Sequence, residues 1–226
     1  NDFMANLAVA TMVIDPTNPN IMYAGTGEVL FGSNENPIGG LQGSRGDGIF
    51  KSTDGGVTWS QLAQTKVSDL AVCPAATPCP WMFVNRLAIS PDGTTILAAT
   101  VSGVHRSTDG GTTWSRVTAS LDRRYFDIDF HPTNSQLAIS GSNNLTIYTT
   151  DGGQTWNDCG FSPGIGPSTR VEIAYAPSNP SIVYASVDQN VGDLYQSTNG
   201  GQTFNVVNSG NSLLAGGDGT TQGIYT

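Results

Sequence analysis

Short runs of alternating apolar and polar residues recur along this chain, each closed by a cluster of Gly, Asn, Pro or Asp. Gly48-Ile49-Phe50-Lys51 leads into Ser52-Thr53-Asp54-Gly55-Gly56-Val57-Thr58-Trp59, and Trp59-Ser60-Gln61-Leu62 leads out. Alternation of period two puts successive side chains on opposite faces of a strand, so the segment predicts a β-hairpin with Asp-Gly-Gly at its tip. The eight-residue box returns at Ser107 to Trp114, at Thr149 to Trp156 and, in a worn copy, at Ser197 to Phe204. Paired glycines admit positive φ. The Asp carboxylate is expected to accept backbone N–H bonds inside the turn, and the Ser or Thr hydroxyl to add another. The closing Trp offers a large apolar surface to a neighbouring sheet. Asn199 and Phe204 keep the geometry with weaker ingredients, one acceptor oxygen and no indole donor.

A second pattern precedes each box: a strand, a Pro/Asn turn and a second strand. It turns at Pro16, Pro91, Pro132 and Pro177. With the box hairpin it gives four antiparallel strands per repeat. Successive boxes start 55, 42 and 48 residues apart, the spacing of propeller blades. The fold class is therefore all-β, a β-propeller of four-stranded antiparallel blades in one domain, 1–226. The blades lie near 8–62, 84–118, 125–158 and 170–208. Gly223-Ile224-Tyr225-Thr226 repeats the strand that leads into a box, so 209–226 reads as part of a further blade or a closing strand. An open arc would expose two apolar blade faces. The ring is thus expected to be incomplete in this chain and completed by further blades, a second chain or a symmetric copy. A closed four-blade ring is the alternative.

The box Ser-x-Asp-x-Gly-x-Thr-Trp resembles the Asp box, or BNR repeat, of secreted β-propellers of the sialidase, sortilin and xyloglucanase kind. The resemblance covers nearly the whole chain. It implies a structural role on the outer rim for Ser52, Asp54, Gly56 and Trp59, and for Ser107, Asp109, Gly111 and Trp114. The same holds for Asp151, Gly153 and Trp156, and for Ser197, Asn199, Gly201 and Phe204. Motifs of this kind specify a fold and leave the function open.

Net charge is −9, charged residues make up 12%, and Lys51 and Lys66 are the only lysines. That balance excludes a basic nucleic-acid surface and attraction to anionic membrane. No run is long and apolar enough to insert into a membrane. The composition fits a secreted, periplasmic or cell-surface protein. No signal peptide opens the chain, so Asn1 is expected to follow a processed end. Cys73 and Cys79 flank a short Pro-rich loop that a disulfide could close, and Cys159 is left over. His105 and His131 show no ligand spacing with the cysteines, so no metal site and no cofactor are expected; calcium in the Asp- and Asn-rich loops stays open.

Two insertions fall on one face. The interval from Pro16 to Ser52 is 36 residues, against 16, 17 and 20 for its later equivalents. Its excess, about 27–47, is a loop between second and third strands. The other long segment, about 65–85, links blades one and two. Both project from the face that also receives the start of each inner strand, and such loops are where sites usually form. Arg86, Arg124 and Arg170 occur there and are candidate ligand contacts, because an arginine fork pairs with carboxylates. Asp127 and Glu172 align with Arg86, five residues before their prolines, and could instead pair with those arginines between blades. Glu28, Asp47, Asp127, Asp129 and Glu172 are candidate catalytic carboxylates by resemblance to xyloglucan-cleaving propellers, which use two acids across a cleft. Neither an Arg-Ile-Pro motif nor a Tyr–Glu nucleophile pair is found. Trp81, and more weakly Phe31, could stack on a sugar, anchor a partner or plug the core. Arg45-Gly46-Asp47 spells an integrin-binding tripeptide, and Asn144-Leu145-Thr146 a glycosylation sequon. The function expected is a glycan- or protein-binding module acting through the loop face. The alternatives are a glycosidase with part of its site outside this chain, or a structural subunit of an extracellular assembly.

Overall fold

A computed structural model describes residues 7–30, 42–67, 79–118, 124–143, 145–160, 170–187 and 192–208. Four four-stranded antiparallel sheets follow one another along the chain. Blade one holds β1 (Val9–Ile14), β2 (Met22–Thr26), β5 (Ile49–Ser52) and β6 (Ser60–Gln61), and between β2 and β5 a small hairpin pairs β3 (Glu28–Leu30) with β4 (Gln42–Ser44). Blade two is β7 (Val84–Ile89), β8 (Ile96–Thr100), β9 (Gly103–Ser107) and β10 (Ser115–Arg116). Blade three is β11 (Tyr125–Phe130), β12 (Ala138–Ser142), β13 (Thr146–Thr149) and β14 (Asn157–Asp158). Blade four is β15 (Val171–Tyr175), β16 (Val183–Val187), β17 (Asp193–Ser197) and β18 (Asn205–Asn208). The inner strands pack in chain order, β1 on β7, β7 on β11 and β11 on β15. The tail 209–226 and Phe31 lie outside the described residues.

The boxes are built as the residue types dictate. In the first, Ser52 Oγ donates to Asp54 Oδ1 at 2.8 Å and accepts from Gly56 N at 2.8 Å. Asp54 also accepts from Thr58 N at 2.9 Å, and Trp59 Nε1 donates to Gly56 O at 3.0 Å. These bonds hold the Asp54 carboxyl down at about 2, led by the Thr58 hydroxyl. In the fourth box the amide reverses one role: Asn199 Nδ2 donates to Thr203 Oγ1 at 2.9 Å while its Oδ1 accepts from Thr203 N at 3.0 Å.

The second, third and fourth boxes each also dock on the blade before them. The three core clusters are the three blade junctions, and they include Trp114, Trp156 and Phe204 respectively. The second glycine of the box seats on a second-strand residue of the preceding blade. A Cβ on Gly153 would lie 2.8 Å from Leu97, and one on Gly201 would lie 2.6 Å from Ile139. The side chains beneath are buried, and each large aliphatic group so covered stabilises the fold by about 1.5–3 kcal/mol.

Among the described residues, the outward faces of blades one and four do not show this cover. Met12 is register-equivalent to Leu87, Ile128 and Ile173. It is 52% exposed where those three are buried. At the other end Tyr184, equivalent to Tyr23, Leu97 and Ile139, is 38% exposed where they are buried; Val206 and Val207 on the outer strand β18 are exposed as well.

Candidate functional site

The start of each inner strand carries the charges, and their local chemistry is set by strand edges. An inner strand is the edge of its blade, so its outward N–H groups lack ladder partners and need capping. In blades one and three the position five residues before the proline supplies the cap. Thr11 Oγ1 in blade one accepts Leu87 N of blade two at 3.1 Å. Asp127 Oδ2 in blade three accepts Ile173 N of blade four at 2.8 Å. Arg86 holds this position in blade two and cannot accept. Its Nε instead pairs with Asp127 Oδ1 at 3.2 Å, and that same oxygen takes Ile128 N at 3.0 Å. The charged set is thus a series of staples between blades.

Arg86 nevertheless leaves 54% of its side chain in water, whereas Asp127 is almost wholly buried. Arg170 is ion-paired with Glu172 and lies over the Phe126 ring, its guanidinium carbon 5.9 Å from the centroid. Glu172 is raised by burial first and by Asp127 second, with Arg170 opposing. Arg124 is half-buried, and its carbonyl accepts Asn143 N at 3.2 Å. Arg86 and Arg170 are thus each paired with an acid of an inner strand. Asp127 and Glu172 are neighbours on adjacent blades, not acids opposed across a gap.

Asp47 is committed too. Its Oδ1 accepts Val67 N at 2.8 Å, tying the first insertion to the linker. Gly46 packs against Thr26 and donates its N–H to Met82 O at 2.9 Å, so Arg45-Gly46-Asp47 is not displayed as a loop tip. Glu28 pairs through its backbone with Ser44 in the small hairpin. Trp81 resolves to the plug. It is buried in a short 3-10 turn, Pro80–Met82, with its ring 4.7 Å from His105 and 5.4 Å from Trp114, and it turns no face to a ligand. Burial holds His105 down at about 3, with Arg116 adding to the shift, so it is neutral. Cys79 is disulfide-bonded and Cys73 lies outside the described residues. Cys159 is a free buried thiol that donates to Gly201 O at 2.9 Å across the last junction. Among the described residues no cluster of three potential metal ligands occurs, and no helix is long and apolar enough to cross a membrane.

The sequence reading missed one feature on the opposite face. The ends of the inner strands and their prolines line a shallow, open pocket of about 300 Å3 that includes Ile14, Pro16, Asp129, His131, Tyr175 and Pro177. The signal was the proline repeated after every inner strand. Desolvation and then Asp127 raise the Asp129 carboxyl from 3.8 to about 6, while Arg86 opposes. The folded state therefore holds this proton between those values and the unfolded chain releases it. The stabilisation is complete at low pH and is lost as pH rises through about 6. Urea denaturation between pH 4.5 and 7 is expected to show a decline in stability that Asp129→Asn flattens. An unchanged slope in the variant would assign the decline elsewhere.

The model of the Sortilin-Vps10 family, described as sortilin, neurotensin receptor 3, matches residues 102–214, half of the chain. The BNR/Asp-box repeat model matches residues 50–61. The chain belongs to the Sortilin-Vps10 family of Asp-box propellers. No curated protein matches it. Among solved structures, a GH74 enzyme of Niastella koreensis superposes with a TM-score of 0.64 at 18% identity, over 92% of this chain and 30% of that one. YCF48 from Cyanidioschyzon merolae gives 0.57 at 14% identity, over 89% of this chain and 56% of that one. The nidogen/laminin complex gives 0.56 at 10% identity, over 93% and 66%. At these identities the likeness is one of fold, and this Asp-box propeller spans less than two-thirds of each of those chains.

Proposed function

We propose that the chain is a secreted, periplasmic or surface-exposed propeller module that binds a glycan or a protein through the face bearing the 27–47 and 65–85 loops, without catalysis. The observation that carries this reading is the use of Asp127. A glycosidase needs two carboxyl groups facing across a gap that admits substrate. Asp127 is already committed to two backbone amides and Arg86. Glu172 beside it is committed to Arg170. What that face offers a ligand is the half-exposed Arg86 guanidinium. The nidogen/laminin fold neighbour supports a protein partner. A second reading, a glycosidase completed outside this chain, is favoured by the GH74 fold neighbours and by the Glu172 carboxyl, whose pKa burial pushes up so that it holds its proton longer.

Titration calorimetry with xyloglucan oligosaccharides and sialyllactose, paired with a reducing-end assay, separates these readings. Binding without release of reducing ends is expected, and Arg86→Ala should weaken it by about tenfold or more. Release of reducing ends that disappears in Glu172→Gln would sink the non-catalytic reading. Silence with both sugars moves the partner to protein.

A further inference from the structure

We propose that Asn199 is a deamidation site guarded by its own box. The closed turn keeps it an amide, opening of the turn exposes it to the Gly200 nitrogen, and hydrolysis then turns the worn fourth box into a full Asp box. Asn199-Gly200 is the only Asn-Gly pair in the chain, and it stands where the other boxes carry Asp54, Asp109 and Asp151. An Asn side chain is thermolabile, and a following glycine, with no Cβ in the way, lets its backbone nitrogen reach Cγ. Water is the one co-reactant. Gly200 N gives its proton to solvent base and bonds to Asn199 Cγ. The Cγ–Nδ2 bond breaks and the nitrogen leaves as ammonia with a proton from water. Water then opens the five-membered imide at Cγ, giving Asp, or at the main-chain carbonyl, giving isoaspartate. The sum is amide plus water to acid plus ammonia.

The closed box ties up both reacting groups. Gly200 N donates to Ser181 O at 2.8 Å, as Gly55 N donates to Asn20 O and Gly152 N to Gln136 O in the first and third boxes. Asn199 Oδ1 accepts from Ser197 Oγ at 2.8 Å and from Thr203 N at 3.0 Å, and Nδ2 donates to Thr203 Oγ1 at 2.9 Å. Nucleophile and carboxamide are held on different partners, so ring closure requires local opening first. Burial is not the guard. Asn199 is exposed, and so is Asp109, whose blade has a neighbour on each side.

The site is already shaped for the acid. In the other three boxes the second carboxylate oxygen accepts a threonine hydroxyl, from Thr58 at 2.5 Å and from Thr113 and Thr155 at 2.6 Å. Thr203 Oγ1 accepts from Nδ2 instead. A hydroxyl rotates to donate once that nitrogen becomes oxygen. The aspartyl product therefore keeps the bonds of the box and places a charge on their acceptor. The isoaspartyl product adds a methylene to the main chain, which leaves Ser197 Oγ and Thr203 N without an acceptor at the right spacing. Of the two outcomes, one completes the turn and the other breaks it.

Peptide mapping by mass spectrometry follows the amide-to-acid mass gain at Asn199 in the full chain at mildly alkaline pH, with and without denaturing urea. Conversion in urea is expected, and conversion in the folded chain should be slower by about tenfold or more. Thr203→Val changes an exposed side chain and removes the bond to Nδ2. It should speed the folded-state reaction by about two- to tenfold with unchanged circular dichroism. Asn199→Asp, the aspartyl product made directly, should melt about 2 °C or more above the parent. An amide that persists in urea would rule out the site. Equal rates with and without urea, or a folded rate that Thr203→Val leaves unmoved, would overturn the guard. An Asn199→Asp chain that melts no higher than the parent would show that the box has no place prepared for the acid.

Discussion

Asp127→Ala is expected to lower the unfolding free energy by about 3–5 kcal/mol. Hydrogen bonds to a charged acceptor contribute about 1.5–3 kcal/mol each, and a buried amide left without a partner costs a further 1–3 kcal/mol or so. Asp127 is 2% exposed and accepts from Ile173 N across the junction of blades three and four as well as from Ile128 N. Removing the carboxylate strands the Ile173 N–H at the edge of β15, where no strand of the blade reaches it. Arg86→Ala should cost about 1 kcal/mol or less, since about half of that side chain is in water and the pair is partly screened. Guanidinium denaturation of both variants at neutral pH measures the difference. Equal losses would mean that Asp127 serves Arg86 rather than the blade-four amide.

Gly153→Ala should cost about 2–4 kcal/mol. Its φ of 83° strains any L side chain by about 1–2 kcal/mol. The new Cβ would also lie 2.8 Å from a terminal methyl of the fully buried Leu97, which would have to shift within the packed core. Gly56→Ala is the control. It has the same kind of backbone, φ 88°, but its Cβ would meet the flexible Met22 sulfur at 3.3 Å and the Trp59 ring of its own hairpin at 3.7 Å. In this chain it should cost mainly the strain, about 1–2 kcal/mol. In a chain of this size each kcal/mol moves the melting temperature by roughly 2–4 °C. Thermal melts therefore resolve the pair. Coincident melts would show that the box glycines are selected for turn geometry alone, with no part in seating one blade on the next.

Much of the fold was legible because its signals are local. The box names its own hydrogen bonds, since a hydroxyl, a carboxylate and two glycines at fixed spacing admit one tight turn. The alternation around each proline names the strand pair. The insertions at 27–47 and 65–85 were legible as interruptions of an otherwise regular interval. The alignment of Arg86, Asp127 and Glu172 five residues before their prolines was legible too, and pairing between blades was one of its two readings. Thr11 at the same position went unnoticed because it carries no charge. Yet Thr11 is what shows that the position caps amides.

What the sequence determined by itself is the repeat: four blades, their strand order and the chemistry of each turn, all carried by contacts between residues close in the chain. What only the tertiary structure decided is which surfaces those blades leave to others. Trp81 could be a platform or a plug until its ring was found against His105 and Trp114, residues far from it in sequence. Tyr184 and Leu97 read alike as strand residues, yet one is open and the other covered. The difference lies in whether a following box arrives to seat its glycine, and burial of that kind is a property of the assembled blades rather than of any one stretch of chain.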